Sequence, residues 1–304
     1  MGLKNRVGPD LCSALRIKPY GPTLVILPSN EPIKMAIVPI ISGLFSGVRV
    51  DIKCHTLVKK LQSFIYTQFN KSGFTNVSVL SLEDSKEDHE ILRKLIQKKY
   101  YDNVICFTSH KVAEKISRIC IRKGVNFHFE CEGNDWLVLD YLPNKKEILK
   151  IIEAVTSHDG RMCNCLKGIL IKKVYYTLLL TKIKRRLSGK KIKFEIIENP
   201  IITSEVVQKP EFRPSLWIKK FNNIPQLLRY LNSNKNRLVL HIWSKNKKFI
   251  KTIFENTSFA RYNLTSDLLT VDFNEPWGGI FWSGNKGPIQ WYERFGYTSV
   301  IKFS

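Results

Sequence analysis

The sequence has no long apolar run. Lys34 and Arg49 interrupt its most apolar region, so no stretch reaches the roughly 18 residues that suggest a membrane-spanning helix. Residues 1–6 lack the serine or threonine that a myristoylation signal carries at the sixth position, and no secretory signal is recognisable. We therefore expect no membrane span and a cytoplasmic location.

The sequence also lacks the paired ligands of a structural metal site. Seven cysteines are spread along 304 residues without regular spacing, and Cys163 and Cys165 have no matching Cys or His cluster elsewhere. A structural zinc site needs four such ligands. An odd number of irregularly spaced cysteines is typical of free thiols in a reducing compartment. We expect no metal site.

Acidic residues are scarce. There are 26 Asp and Glu against 49 Lys and Arg, which gives a formal net charge of +23. Such a charge attracts phosphates, nucleic acid or an anionic membrane surface. The basic residues are scattered, however, and no zinc-finger or RNA-recognition motif is present, so an anionic cofactor or substrate is the simpler explanation. Nucleic-acid binding through the basic surface stays an alternative.

Short apolar runs alternate with amphipathic segments through the first half of the chain. Alternating strands and helices of this length predict a doubly wound parallel sheet, whose ligands bind at the carboxyl ends of the strands. The predicted strands are 23–27, 48–52, 77–80, 104–107 and 125–130, and the predicted helices are 31–44, 56–70, 86–99 and 110–123.

The second half repeats this alternation less regularly, which predicts a second, smaller α/β domain. We place the boundary near 131–134, with an irregular, proline-rich lead-in at 1–22 and a Gly- and aromatic-rich segment at 276–304. We interpret the aromatic residues of that last segment as core packing or channel lining, with a stacking platform for bases as the alternative. The further predicted strands are 136–140, 168–174, 193–197, 215–218 and 237–243, and the helices are 144–156, 177–187, 224–233 and 246–255.

A turn with two thiols lies between a predicted helix and a predicted strand, in the stretch Asp159-Gly160-Arg161-Met162-Cys163-Asn164-Cys165. A thiol in a loop after glycine is accessible to a substrate carbonyl, and its thiolate is a strong nucleophile near neutral pH. Cys163 is therefore a candidate nucleophile. The alternative is an inert, partly buried cysteine that packs as a small apolar residue.

Seven short segments punctuate the chain in a recognisable order: Pro28–Pro32, Ile52–Thr56, Phe107–Ser109, Phe129–Gly133, Gly160–Cys163, Glu211–Pro214, and Pro276–Gly279 with Ser283-Gly284. They resemble the motifs of the aldehyde dehydrogenase superfamily, which includes glutamate-semialdehyde and acyl-thioester reductases. The spacings of 23 residues from Asn30 to Lys53 and 33 from Glu130 to Cys163 agree with the family.

The resemblance implies a Rossmann-like dinucleotide-binding domain at 23–132 and a shortened catalytic domain at 133–275. Cys163 would attack an aldehyde or an activated acyl group and pass through a thiohemiacetal and a thioester. Asn30 and the Cys163 backbone N–H would stabilise the oxyanion. Glu130 would be the general base, unless Glu132 occupies that position and Glu130 is a surface carboxylate.

The resemblance also implies a nicotinamide cofactor. Lys53 would bind the adenosine ribose, Thr108 and Ser109 would lie near the phosphates, and Glu211 would position the nicotinamide ribose. Thr56 stands where NAD-preferring members carry a glutamate, and a hydroxyl tolerates a 2′-phosphate that a carboxylate would repel. This favours NADP over NAD.

Several departures from the family pattern bear on activity and partners. The chain begins beyond the family's long N-terminal segment and oligomerisation hairpin, and only 48 residues separate Cys163 from Glu211. Glu132 and Arg213 stand where the family has glycine. We therefore expect either a homo-oligomer or a partner subunit to replace the missing segment. The alternative function is a catalytically degenerate structural or binding subunit, in contact with nucleic acid through its basic surface.

Overall fold

The computed structural model describes residues 4–8, 11–30, 32–74, 76–83, 85–188, 194–208, 213–269 and 275–302. The strands are β1 Lys4–Gly8, β2 Leu11–Pro19, β3 Thr23–Ile26, β4 Val50–Lys53, β5 Val77–Val79, β6 Asn103–Phe107, β7 Asn126–Glu130, β8 Asp135–Leu139, β9 Leu166–Lys172, β10 Glu195–Glu198, β11 Ser215–Phe221, β12 Asn236–Arg237, β13 Val239–Trp243, β14 Arg261–Asn263, β15 Ile280–Phe281 and β16 Gly296–Lys302. The α-helices are α1 Pro32–Ser46, α2 Lys59–Lys71, α3 Lys86–Gln97, α4 His110–Lys123, α5 Lys145–Thr156, α6 Tyr176–Leu187, α7 Glu205–Gln208, α8 Ile224–Ser233 and α9 Lys247–Asn256.

The backbone divides into two compact units. The first comprises Met1–Glu130, Glu275–Trp277 and Ile289–Ser304, and the second comprises Cys131–Asn274 and Gly278–Pro288. The C-terminal segment therefore contributes to both units. The assignment of one unit to the cofactor and the other to catalysis stays a prediction.

The first unit is built on a five-stranded parallel sheet in the order β5-β4-β3-β6-β7. The apolar strands are buried on both faces, and Ala36 of α1 and Tyr66 of α2 pack against Val25 and Ile52. From β3 the chain winds outward to β5 and then returns to β6 and β7. This reversal makes the sheet doubly wound, as predicted, with its switch point between β3 and β6.

The second unit contains a six-stranded parallel sheet in the order β10-β11-β9-β8-β13-β14. Alternate strand residues enter two different cores, with Leu137 and Ile169 on one face and Val138 and Leu170 on the other. Helices cover both faces, which is why these strands are apolar throughout. The α/β prediction is confirmed, and this sheet has one strand more than the five-stranded sheet of the first unit.

The irregular lead-in expected at residues 1–22 is wrong, because two strands lie within it. β1 and β2 pair in antiparallel fashion, and β2 pairs with β16 from the other end of the chain. Pro19 is the last residue of β2, a strand end where proline is tolerated because its missing N–H is not needed. Pro19 ends β2, and the strand β16 that pairs with β2 lies too far along the sequence to be recognised.

A buried histidine lies in the second sheet. His241 is 2% exposed, and neither ring nitrogen has a hydrogen-bond partner among the residues that the structure describes. Burial lowers the pKa of His241 to about 3, against a smaller opposing effect of Asp267. The imidazole is therefore neutral in the folded protein over the range in which an unfolded histidine takes up a proton.

We predict that His241→Leu reduces the acid sensitivity of the fold. Because the unfolded chain binds the extra proton below about pH 6.5, His241 costs stability progressively as the pH falls from there towards 3. Urea unfolding of wild type and variant at pH 7 and pH 4.5 measures this difference. The exposed His89 provides the control variant His89→Gln, and an equal loss of stability in all three proteins would contradict the prediction.

Candidate active site

The turn that carries Cys163 is held in an uncommon backbone conformation. After α5, three successive residues have positive φ angles, 50° at His158, 55° at Asp159 and 71° at Gly160. A Cβ atom on Gly160 would lie 2.5 Å from the carbonyl carbon of Arg213. Only glycine satisfies both the left-handed conformation and this close approach, so the path of the turn is tightly constrained.

The two thiols of this turn differ in their surroundings. Cys163 is half-buried, whereas Cys165 is completely buried and donates a hydrogen bond of 3.3 Å to the Ser157 carbonyl. Burial raises the pKa of the Cys165 thiol, although the Lys167 charge acts in the opposite direction. Cys163 is therefore the more accessible of the two, and Cys165 is structural.

The backbone of residues 131–134 lies directly against the Cys163 turn. A Cβ atom on Gly133 would lie 1.8 Å from the Cys163 carbonyl oxygen, so a side chain at this position would displace the turn. Ser283 fixes the same segment, because its carbonyl accepts from the Cys131 N–H at 3.0 Å and its hydroxyl donates to the Glu132 carbonyl at 2.9 Å. Glu132 therefore belongs to the same unit as Cys163.

The predicted residues of the first unit gather at one edge of its sheet. Asn30 is half-buried and follows β3, and Lys53 ends the neighbouring strand β4 with 5% of its surface exposed. Thr56 is exposed in a short 3-10 turn, where the His55 ring nitrogen Nδ1 accepts from the Leu57 N–H at 3.2 Å. These residues all follow carboxyl ends of parallel strands, the edge at which such sheets bind ligands.

Thr108 and Ser109 follow β6, on the other side of the switch point. The Thr108 N–H donates to the Glu130 carbonyl at 3.1 Å, and Ser109 is the N-cap of α4 without a side-chain capping bond. Ser109 has φ −67° and ψ 149°, an extended conformation open to any residue, so serine in place of the family's glycine causes no backbone strain. The N-terminus of a 14-residue helix at this edge suits a phosphate group.

Glu130 forms an ion pair with Arg294, a residue that the sequence did not identify as part of the site. The side chain is 8% exposed, and the completely buried Arg294 donates to it at 2.8 Å. Arg294 also donates to the Trp277 carbonyl at 2.5 Å and lies over the Trp291 ring, 5.0 Å from its centroid. Glu130 is thus a buried, ion-paired carboxylate and not a surface one. Arg294 is 164 residues away in sequence, and no local pattern links the two.

Glu211, the residue predicted to position the nicotinamide ribose, lies outside the described residues. Arg213, two positions later, forms an ion pair with Glu195 at 2.7 Å. Cys163 belongs to the second unit, whereas Asn30 and Glu130 belong to the first. The roles assigned to these residues stay predictions.

Within the described part of the chain, no cluster of three or more His, Cys, Asp or Glu residues is able to hold a metal ion. No helix among the same residues combines the length and the apolar character needed to cross a membrane.

These features define an α/β protein with two parallel sheets and a half-buried cysteine thiol on a constrained turn before an inner strand. Residues 4–196, well over half of the chain, match the model of the aldehyde dehydrogenase family. The chain therefore belongs to the aldehyde dehydrogenase family.

Individual relatives agree with this family. Aldehyde dehydrogenase family 3 member A2 of Rattus norvegicus is 25% identical over 181 residues, which cover 55% of this chain and 37% of the rat protein. The mouse protein of the same name is 24% identical over the same share. The chain thus matches well under half the length of these relatives.

Solved structures share the fold at low sequence identity. A substrate-bound Staphylococcus aureus AldH has a TM-score of 0.81 at 18% identity, with 99% of this chain and 76% of that chain covered. A Mycobacterium tuberculosis aldehyde dehydrogenase complexed with NAD+ has a TM-score of 0.85 at 15% identity, with 99% and 73% covered. At these identities the similarity establishes the fold alone.

Proposed function

We propose that this chain is an NAD(P)-dependent oxidoreductase that acts on an aldehyde or an activated acyl group through a covalent bond to Cys163. The observation that carries the proposal is the half-buried Cys163 thiol on a constrained turn, in a member of the aldehyde dehydrogenase family. The similar M. tuberculosis enzyme binds NAD+, which supports a nicotinamide cofactor.

Cys163 supplies the nucleophile. Its thiolate adds to the carbonyl carbon, a C–S bond forms, and the carbonyl electron pair moves to oxygen. The Asn30 amide and the Cys163 N–H stabilise that oxyanion, which is worth roughly 3 to 4 kcal/mol per donor in other enzymes. The nicotinamide cofactor that Lys53, Thr56, Thr108 and Ser109 would hold would supply a hydride acceptor, so that oxidation of the adduct would leave a thioester on Cys163. Glu130 then takes a proton from the water that releases the acid.

Residues at the carboxyl edge of the first sheet would hold the cofactor. Lys53 and Thr56 would face the adenosine ribose, and Thr108 and Ser109 the phosphates at the start of α4. Lys59 is paired with Glu83 at 3.1 Å, while Lys60 is exposed. The neutral Thr56 and a net positive charge favour NADP, and Glu211 would contact the nicotinamide ribose.

We predict that NADP stabilises the protein more than NAD does. At a concentration about 100-fold above Kd, a bound cofactor adds about 2.7 kcal/mol to the free energy of unfolding. Thermal unfolding with each cofactor measures the shift, and absorbance of the reduced nicotinamide measures turnover of aldehydes of increasing chain length. Lys53→Met is the matched variant, which should lose most of the shift.

An absence of both stabilisation and turnover would overturn the proposed function. It would favour the second candidate, a catalytically degenerate structural or binding subunit in contact with nucleic acid through its basic surface. The Glu130–Arg294 ion pair is the observation that favours this candidate, because a carboxylate engaged by a buried guanidinium is a poor proton acceptor. Stabilisation by cofactor without turnover would support the same alternative.

A further inference from the structure

Lys167 occupies an irregular position in the second sheet. Asp135 of β8 pairs with Leu166 of β9, but the next residue, Trp136, pairs with Gly168, so Lys167 is the extra residue of a β-bulge. A bulge redirects the side chain of its extra residue and locally interrupts the ladder. The neighbouring residues of β9 point alternately into the two apolar cores, and Lys167 does not follow this alternation.

The ammonium group of Lys167 reaches back to the turn that carries Cys163. Its side chain is 3% exposed, and Nζ donates to the Gly160 carbonyl at 2.7 Å and to the Arg213 carbonyl at 3.4 Å. These two carbonyl groups belong to the two segments that pack closely at Gly160. One cation therefore joins the left-handed turn to the segment that precedes β11.

Keeping a cation in this place has an energetic cost. Burial lowers the pKa of Lys167, and the nearby Cys165 and Asp135 act in the opposite direction. Asp135 is completely buried itself, and one of its oxygens accepts the Val239 N–H at 3.1 Å. An apolar side chain would fill the space at lower cost, but it would leave the Gly160 carbonyl without this donor.

We infer that Lys167 is a positioning residue for Cys163: through the Gly160 carbonyl, the bulge-placed ammonium fixes the turn on which the thiol sits. This inference rests on the proposed function in so far as it concerns turnover. Its geometric part does not, because the reactivity of the Cys163 thiol can be measured without any substrate.

The first test compares Lys167→Met with Lys219→Met. Lys219 lies in the same unit and donates to the Pro200 carbonyl at 2.6 Å, so it controls for the loss of a lysine–carbonyl bond. In Lys167→Met we expect iodoacetamide to modify Cys163 about tenfold more slowly, because the turn no longer holds the thiol in its reactive position. Peptide mass analysis assigns the modified cysteine.

Five of the six other thiols act as internal controls. Cys54, Cys106, Cys120, Cys131 and Cys165 are buried, and they should stay unreactive in both variants. Reaction at these cysteines would show that Lys167 supports the fold in general and would overturn the inference. An unchanged Cys163 rate in Lys167→Met would overturn it as well.

Turnover and chemical rescue complete the test. If the protein is active, Lys167→Met should lower kcat about 100-fold with KM within about threefold, as misplacement of a reacting group does. In Lys167→Ala, added ethylammonium should restore part of the Cys163 alkylation rate. An absence of rescue would contradict a positioning role of the ammonium group.

If Lys167→Met fails to fold, Asp135→Asn/Lys167→Met removes both buried ionisable groups and serves for the same alkylation measurement.

If neither wild type nor control variant turns over an aldehyde, the proposed function fails on its own. The alkylation rates of Cys163 still decide whether Lys167 positions the turn. The two failures are therefore distinguishable.

Discussion

Cys163→Ala abolishes aldehyde turnover, by a factor on the order of 10⁴ to 10⁶, and leaves cofactor binding intact. The expected loss is large because removal of a nucleophile eliminates the covalent route altogether. The fold should tolerate the change, since Cys163 is half-buried and alanine adopts its backbone conformation. Measurements are the rate of cofactor reduction, the cofactor-dependent melting temperature, and the mass of the protein after incubation with an aldehyde and cofactor.

Cys165 offers the matched control within the same turn. Cys165→Ala also removes a thiol, but one that is completely buried and bonded to the Ser157 carbonyl. This variant should lose stability, by about 1 kcal/mol for a small buried group, and retain most of its activity. Equal activity of Cys163→Ala and wild type would exclude Cys163 as the nucleophile. Loss of activity in Cys165→Ala alone would identify Cys165 as the nucleophile instead.

The sequence predicted the parallel sheet of the first unit and the α/β class of the second because their strands are short, apolar and separated by amphipathic helices. Asn144, for example, caps α5 and forms a capping box with Glu147, and Gly124 ends α4 with φ 63°, as such residues do in general. These signals are local. The β1-β2-β16 sheet has no local signal of this kind, because β2 finds its partner β16 almost 280 residues later.

The same distinction applies to the candidate site. The Cys163 turn was recognisable because glycine and cysteine are close together in sequence. The contacts that constrain this turn were not recognisable from the sequence, because they come from Gly133, Lys167 and Arg213 in three separate segments. A lysine inside an apolar strand is recognisable from the sequence as unusual. Only the structure shows that a β-bulge places its ammonium group against the Cys163 turn.

Loss of Arg294 is the second large effect that we expect. Arg294→Met should destabilise the first unit by about 3 to 5 kcal/mol, because it leaves the Glu130 carboxylate buried without its cation. It also removes the hydrogen bond to the Trp277 carbonyl and the packing over Trp291. Chemical denaturation measures the change. The exposed pair Arg118–Glu114 supplies the control, and Arg118→Met should have no measurable effect.

The double variant Glu130→Gln/Arg294→Met separates the ion pair from the other contacts of the arginine. It removes both charges, so its stability should lie above that of Arg294→Met, with a coupling energy on the order of 2 kcal/mol. A double variant no more stable than Arg294→Met would mean that Arg294 acts through Trp277 and Trp291 alone. In that case the guanidinium would not restrain the Glu130 carboxylate, and the objection to Glu130 as a general base would disappear.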